Sequence, residues 1–363
     1  MHPDDGVERP TLASVAALAQ VSKQTVSNVL NAPHLVSGAT LDRVRAVIDE
    51  VGYRPLRAAQ QMRSHRSQLI AMRIEPVREA FGGSVLDQFL HALTRSAEES
   101  GQRLVLFTAD DAEAEVGAYD ELVASFAVDA FVLTGTSHGD PRTAWLRRRR
   151  LPVASFGRPW DDPDGRSWVD VDGAAGTRAA VEHLVAQGHT RIAWLGWPAG
   201  SGTGDDRRAG WVDAMSSAGL PVAGLEAGLP DDLAVAQATA LGLLAARGVT
   251  ALVCASDSLA LGALGAVQEL GRRPGRDVAV VGFDDSPVAA ALGLTSVAQP
   301  VVAAAAACIE LLRGQLDPGP PGSPAADQPV LLPPRLVVRA SSQRGDDAAP
   351  SAASLPFPPS GTH

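Results

Sequence analysis

The stretch from Thr11 to Met62 constrains this chain most, because it holds three apolar-periodic segments separated by one turn of three residues and one short loop. Thr11 stands where an N-cap is needed, just before Leu12, Val15, Ala16 and Ala19, which recur at helical spacing. Ser22 takes the same place ahead of a second helix, in which Val26, Val29 and Leu30 point one way and Lys23, Gln24, Ser27 and Asn28 the other. Thr40 is expected to cap a third helix, with Leu41, Val44, Val47, Ile48 and Val51 inward, Arg43 and Arg45 outward, and Gly52 closing it. Three short helices with a tight first turn make a helix-turn-helix unit over residues 10–55. One face of its second helix is core, and the other is free to touch something.

From Leu69 the pattern changes. Apolar runs at 69–74, 104–107, 130–133 and 153–156 alternate with amphipathic segments at 85–99, 119–126 and one ending at 145–150. A second series of runs at 168–171, 191–195, 251–254 and 278–281 alternates with helices at 174–187, 206–218, 232–246 and 258–270. Short apolar runs separated by helices predict parallel sheets covered on both faces. Two doubly wound sheets in one chain predict a cleft, because ligands bind outside the carboxyl ends of such strands.

At 363 residues the chain exceeds the usual single-core size. Its net charge of −10 would argue against a nucleic-acid partner if it were evenly spread. It is not: residues 1–66 carry eight Lys/Arg against six Asp/Glu, and from Arg9 to Arg66 the balance is eight against three. A mildly basic head on an acidic body suits phosphate contact by the head alone. Cys254 and Cys308 lie in apolar contexts and are expected as buried free thiols of a reducing compartment. The N-terminus is acidic without an apolar h-region and no apolar run reaches membrane-spanning length, so a cytoplasmic protein with no membrane partner is expected. Residues 1–9 and the Ala/Ser/Pro-rich tail 343–363 are expected to be disordered.

The run Thr11-Leu12, Val15-Ala16, Ala19, Val21-Ser22, Thr25-Val26-Ser27 and Val29-Leu30-Asn31, followed by Val36-Ser37 and Gly52-Tyr53-Arg54-Pro55, resembles the DNA-binding headpiece of the lactose-repressor (LacI-type) family. Gly188-His189, Cys254-Ala255-Ser256-Asp257, Val281-Gly282-Phe283-Asp284 and Gln299-Pro300 extend the resemblance to residues 10–342. It implies a headpiece followed by a hinge helix at 56–67. A two-lobed α/β core similar to periplasmic sugar-binding proteins then spans 68–342. Crossovers are placed near 158–160, 299–300 and 322–326, giving lobe one 68–158 and 300–322, and lobe two 159–299 and 323–342.

The resemblance also implies roles. Lys23, Gln24 and Asn28 would read bases in the major groove, and Asn28 stands where many relatives carry arginine, which predicts an altered half-site. For Thr11, Ser22, Thr25, Ser27, Asn31, Ser37, Thr40 and Tyr53, phosphate contact and local capping or core satisfaction are both open. Arg57 would contact the backbone, and Met62 would be the apolar wedge in the minor groove. Gln20 occupies a turn position where the family often has glycine. In the body, Arg207 and Asp284 match family residues that grip an effector, and Ser256 stands where relatives have asparagine. Arg73, Phe156, Arg158, Asp172 and Trp197 end strands or loops expected to face the cleft, while Asp257 is expected to cap the helix it precedes.

No catalytic constellation, metal-ligand spacing or cofactor motif is found. Gly200 to Gly204 lacks the lysine of a phosphate loop, and Arg147 to Arg150 is a solvated helix end. The expected protein is a non-enzymatic homodimeric repressor of operator DNA, controlled by a small molecule of carbohydrate type. A solute-binding protein serving a transporter is the alternative.

Overall fold

The computed structural model describes residues 10–53, 66–74, 85–162, 165–246, 248–318 and 328–343, and the chain divides into two compact units, Met1–Ser67 and Gln68–His363. Residues 1–9, the hinge up to residue 65 with Arg57 and Met62, the expected 322–326 crossover and nearly all of the tail lie outside the described residues.

In the first unit, α1 (Leu12–Leu18) opens on a capping box: the Thr11 hydroxyl accepts from Ser14 N at 3.1 Å while Ser14 Oγ accepts from Thr11 N at 2.8 Å. Helix α2 (Lys23–Asn31) is capped by Ser22, whose hydroxyl accepts from Thr25 N at 3.0 Å. Between them Gln20 has φ +53°, a conformation that costs a residue with a side chain about 1 kcal/mol. Helix α3 (Gly38–Val51) begins two residues before Thr40, and the extended Ser37 is its N-cap, its carbonyl accepting from Thr40 N and Leu41 N. Thr40 is therefore inside the first turn, its Oγ1 accepting from the Ser37 hydroxyl at 3.0 Å. Gly52, at φ +63°, ends the helix, and Tyr53 N returns to the Ile48 carbonyl. Val15, Ala16, Ala19, Val26, Val29, Val44 and Tyr53 form the core. Ser27 was expected on the free face but is buried, because it flanks Leu30 at the edge of the inward stripe.

The second unit contains two six-stranded sheets. In the first, β1 (Leu69–Ile74), β2 (Arg103–Thr108), β3 (Ala130–Leu133), β4 (Val153–Phe156), β5 (Trp168–Val171) and β11 (Val330–Leu332) lie in the order β11-β5-β4-β3-β1-β2, all parallel. In the second, β6 (Ile192–Gly196), β7 (Glu226–Gly228), β8 (Ala251–Cys254), β9 (Ala279–Asp284), β10 (Thr295–Ala298) and β12 (Arg335–Val337) run β12-β10-β9-β8-β6-β7, with only β12 antiparallel. Helices α4 (Val85–Glu99), α5 (Ala112–Phe126) and α6 (Pro141–Arg149) serve the first sheet. The second has α7 (Gly173–Ala186), α8 (Thr203–Ser217), α9 (Leu233–Ala246), α10 (Asp257–Glu269) and the short α11 (Pro287–Ala291). Helix α12 (Val301–Leu316) returns to pack on α4, β4 and β5. The inner strands of both sheets are buried around apolar cores in which Cys254 and Cys308 are free thiols, while the edge strands β2, β7, β11 and β12 are partly exposed. Among the described residues no helix is long and apolar enough to cross a membrane.

The lobe boundaries differ from those expected. Strand β5 pairs with β4 through Ser155 with Trp168 and Phe156 with Val169, so it completes the first sheet, and the chain crosses at Asp172 rather than near 158–160. Strand β11 pairs with β5, which moves the third crossing from 322–326 to Pro333-Pro334. The second falls at Gln299-Pro300, between β10 and α12. Helix α5 starts seven residues before Tyr119 because the Asp111 carboxylate accepts from Ala114 N and caps it there. Helix α8 starts three residues earlier than expected, with Asp205 and Asp206 in the first turn facing the partial positive charge of the N-terminus.

Candidate functional site

On the headpiece, Lys23 and Gln24 are exposed in the first turn of α2, and the Gln24 amide donates to Asn28 Oδ1 one turn on, at 3.0 Å. The apolar stripe anchors the helix and the caps hold its start, so this polar face is presented as a unit. Thr11, Ser22 and Ser37 occupy N-cap positions, the Thr25 hydroxyl lies 2.8 Å from that of Ser22, and Tyr53 is 9% exposed within the core. Asn31 is the last residue of α2.

In the second unit, a cleft of about 1030 Å³ lies between the sheets, lined from both. Each sheet has its first strand between its second and third, so the strand order reverses there, the place where such sheets leave a crevice for a ligand. Arg207 reaches this point from α8: its Nη1 donates to the Ala255 carbonyl just beyond β8 at 2.5 Å, and its guanidinium carbon lies 3.7 Å from the Phe283 ring centroid. Trp197, beyond β6, covers it at 5.3 Å. Asp284, at the end of β9, lies 3.7 Å from Arg207 Nη1 and accepts from Gln299 Nε2 at 2.7 Å. Gly173 makes room for this arrangement, since a Cβ there would fall 2.9 Å from both Arg207 Cγ and Asp206 Oδ2.

The electrostatics follow from burial. Arg207 is 6% exposed, and burial presses its pKa down although Asp284, Asp170, Asp206 and Asp231 oppose the shift. Burial pushes Asp284 up to about 7 against the pull of Arg207, so this carboxyl titrates near neutrality. Asp206 is also raised by burial, countered by Arg158 and by the N–H of Ala174.

The first-sheet wall is built differently. Arg142, 1% exposed, donates to Asp140, to Glu115 Oε2 at 2.8 Å and to the carbonyls of Thr134 and Gly135. Glu115 also accepts from the Tyr119 hydroxyl at 2.8 Å and pairs with Arg73 Nε at 3.0 Å. Burial works against the Arg142 charge, but its bonds to Asp140 and the charges of Glu115 and Asp140 win, and its pKa rises.

Of the residues expected at the cleft, Arg73, Phe156, Trp197, Arg207 and Asp284 line it. Three do not. Ser256 caps α10 and donates to Asp231 Oδ1 at 2.6 Å, and Asp172 caps α7 by accepting from Ala175 N. Arg158 pairs with Asp170 at 2.6 Å and spans to Asp206 at 3.5 Å, stacked over Trp160. Asp257, expected as a cap, instead accepts from Ser286 N and Ser296 Oγ, since Ser256 already caps the helix. Sequence reasoning passed over Asp206, Trp160, Asp231, Phe283 and Gln299, which also line the cleft. Phe283 and Gln299 fall inside the motifs that carried the resemblance, a signal that was available.

Two family models match the chain: bacterial regulatory proteins of the lacI family over residues 11–55, and a periplasmic binding protein-like domain over 181–342. The HTH-type transcriptional regulator CelR of Thermobifida fusca is 35% identical over 301 residues, covering 80% of this chain and 87% of CelR. Among solved structures, a CelR–cellobiose complex is 32% identical with TM-score 0.68, covering 92% of this chain and all of the other. The lac repressor dimer bound to operator and an anti-inducer is 28% identical with TM-score 0.78, covering 93% and 100%. With a capped helix-turn-helix in front and a two-sheet cleft behind, the chain belongs to the LacI family of bacterial transcriptional regulators.

Proposed function

We propose that the protein is a cytoplasmic, homodimeric, non-enzymatic repressor that grips a palindromic operator with two headpieces and releases it when a carbohydrate enters the cleft. The observation that carries this reading is the polar face of exposed Lys23 and Gln24 with half-buried Asn28, on a helix whose other side is locked into a core. Lys can donate to guanine O6 and N7, and Gln or Asn can pair two-pronged with adenine, each worth about 1–3 kcal/mol of discrimination. Asn28, where many relatives carry arginine, would alter the half-site at one position. The hydroxyls at Thr11, Ser22, Thr25, Ser37 and Thr40, with Arg57, would position the head on phosphates, and Met62 would wedge the minor groove. Buried Ser27 and Tyr53 are better suited to core satisfaction.

The effector reading is supported by Arg207 and Asp284, set beside the aromatic rings of Trp197 and Phe283, with Phe156 on the opposite wall. A donor fork beside a carboxylate suits vicinal hydroxyls, and aromatic faces suit a sugar ring. Because the similar CelR has been captured with cellobiose, a saccharide of up to disaccharide size is the first candidate. Such a ligand shifts the lobes only by binding one arrangement better, and moving the balance from 1:99 to 99:1 takes about 5.5 kcal/mol.

A gel shift with the DNA upstream of the protein's own gene tests this reading. Binding that prefers this DNA over random sequence and weakens with a saccharide is expected; equal affinity for both across salt concentrations would refute it. Lys23→Ala should relax base preference.

A further inference from the structure

The charge around the cleft carries an inference that rests on the effector reading above and narrows it. Among the described residues, seven carboxylates line the cleft against three guanidiniums, those of Arg73, Arg142 and Arg207. Arg142 is committed to Glu115 and Asp140, and Arg73 is paired with Glu115. The positive charge on the first-sheet wall is thus already neutralised from behind. Arg207 is left facing Asp284, with Asp206 and Asp231 close enough to act on its charge. Arg158 does not line the cleft and is spent on Asp170 and Asp206.

Two buried donors among the cleft-lining residues have no partner: Nε of Arg207, a side chain more than nine-tenths buried, and the indole Nε1 of Trp160. The Trp160 indole N–H lies over Gly202, where a Cβ would come within 2.5 Å of it. A ligand that satisfies this lining must accept from two donors and give hydrogens to several carboxylates. Hydroxyl groups do both. A phosphate or carboxylate offers acceptors only, and brings negative charge into an enclosure that already has too much.

We propose that the cleft selects its effector by charge: it takes a polyhydroxylated molecule bearing no phosphate or carboxylate, and rejects the anionic derivative of the same sugar. Rejection arises from Asp206 and Asp231 on the second-sheet side, and acceptance runs through Arg207 Nε and Trp160 Nε1.

The test uses the full chain in thermal shift and calorimetry, with matched pairs: glucose and glucose 6-phosphate, galactose and galacturonate, cellobiose and cellobionate. At least one neutral member should bind, with its anionic counterpart at least tenfold weaker, and Asp231→Asn should shrink that ratio severalfold. An anionic member that binds as well as its neutral partner overturns the proposal, as does a ratio untouched by Asp231→Asn. If no saccharide of either kind binds, the carbohydrate reading fails, and the charge proposal is judged by inorganic phosphate against chloride at equal ionic strength. No stabilisation beyond chloride supports it; a phosphate-specific rise in Tm that disappears in Arg207→Gln overturns it.

Discussion

Arg142 and Arg207 are both almost fully buried, both face the same cleft, and their pKa values move in opposite directions. Around Arg142, Asp140, Glu115 and two carbonyls use the whole donor fork, and the partners outweigh desolvation. Around Arg207 desolvation wins: the carboxylate is 3.7 Å away, one carbonyl takes Nη1, and Nε has no partner. A buried charge whose donors are satisfied is scaffold. One held in place by rings and left short of acceptors is poised for a ligand.

The sharpest way to break this contrast is Arg142→Ala, which leaves Asp140 without its cation and buried Glu115 with Arg73 alone. Stability should fall by about 3–5 kcal/mol, measured by urea unfolding. Arg207→Gln should do the reverse. Stability should change by less than about 1 kcal/mol, because Asp284 already titrates near neutrality and can hold its proton. Effector affinity, by calorimetry, should drop on the order of 10–100-fold, the size of hydrogen bonds to a charged group. Equal stability losses in the two variants would erase the distinction.

Asp284→Asn sharpens the comparison through pH. The folded carboxyl is raised by burial to about 7 from an unfolded value near 4, so the folded state holds a proton the unfolded state has lost. That contribution to stability is full below about pH 4 and is lost as pH rises through 7. The wild type should therefore lose stability across this window relative to the Asn variant, read from Tm at a series of pH values; parallel curves would contradict the assignment. The smallest effect is expected from Gly173→Ala, whose methyl would press on Arg207 Cγ. It should weaken effector binding about fivefold, equivalent to ~1 kcal/mol of overpacking, while leaving operator affinity intact.

The headpiece was almost wholly legible because its determinants are local. Thr11, Ser22 and Gly52 act on residues within five positions, and the stripe of Val26, Val29 and Leu30 states its own period. Thr40 misled because Ser37 is an equally good cap three residues earlier. In the core, the sequence pattern assigns β5 to the second lobe and the structure to the first, because an apolar strand does not encode which neighbour it pairs with. The three-residue β7 and β11 carried too little pattern to be seen. Arg207 and Asp284 were found through motifs, but that Arg142 would be scaffold depended on Glu115, 27 residues away on another helix. Ser256, Arg158 and Asp172 carry the right chemistry and are consumed by caps and ion pairs that only folding reveals.

The central claim, that occupancy at Arg207 governs the grip of the head on DNA, is tested most directly by operator affinity in the wild type and in Arg207→Gln. Each is measured with and without the neutral saccharide that gives the largest thermal shift. The wild type should lose at least tenfold in affinity when the saccharide is present, while the variant binds operator equally with or without it. A variant released as readily as the wild type would contradict the account.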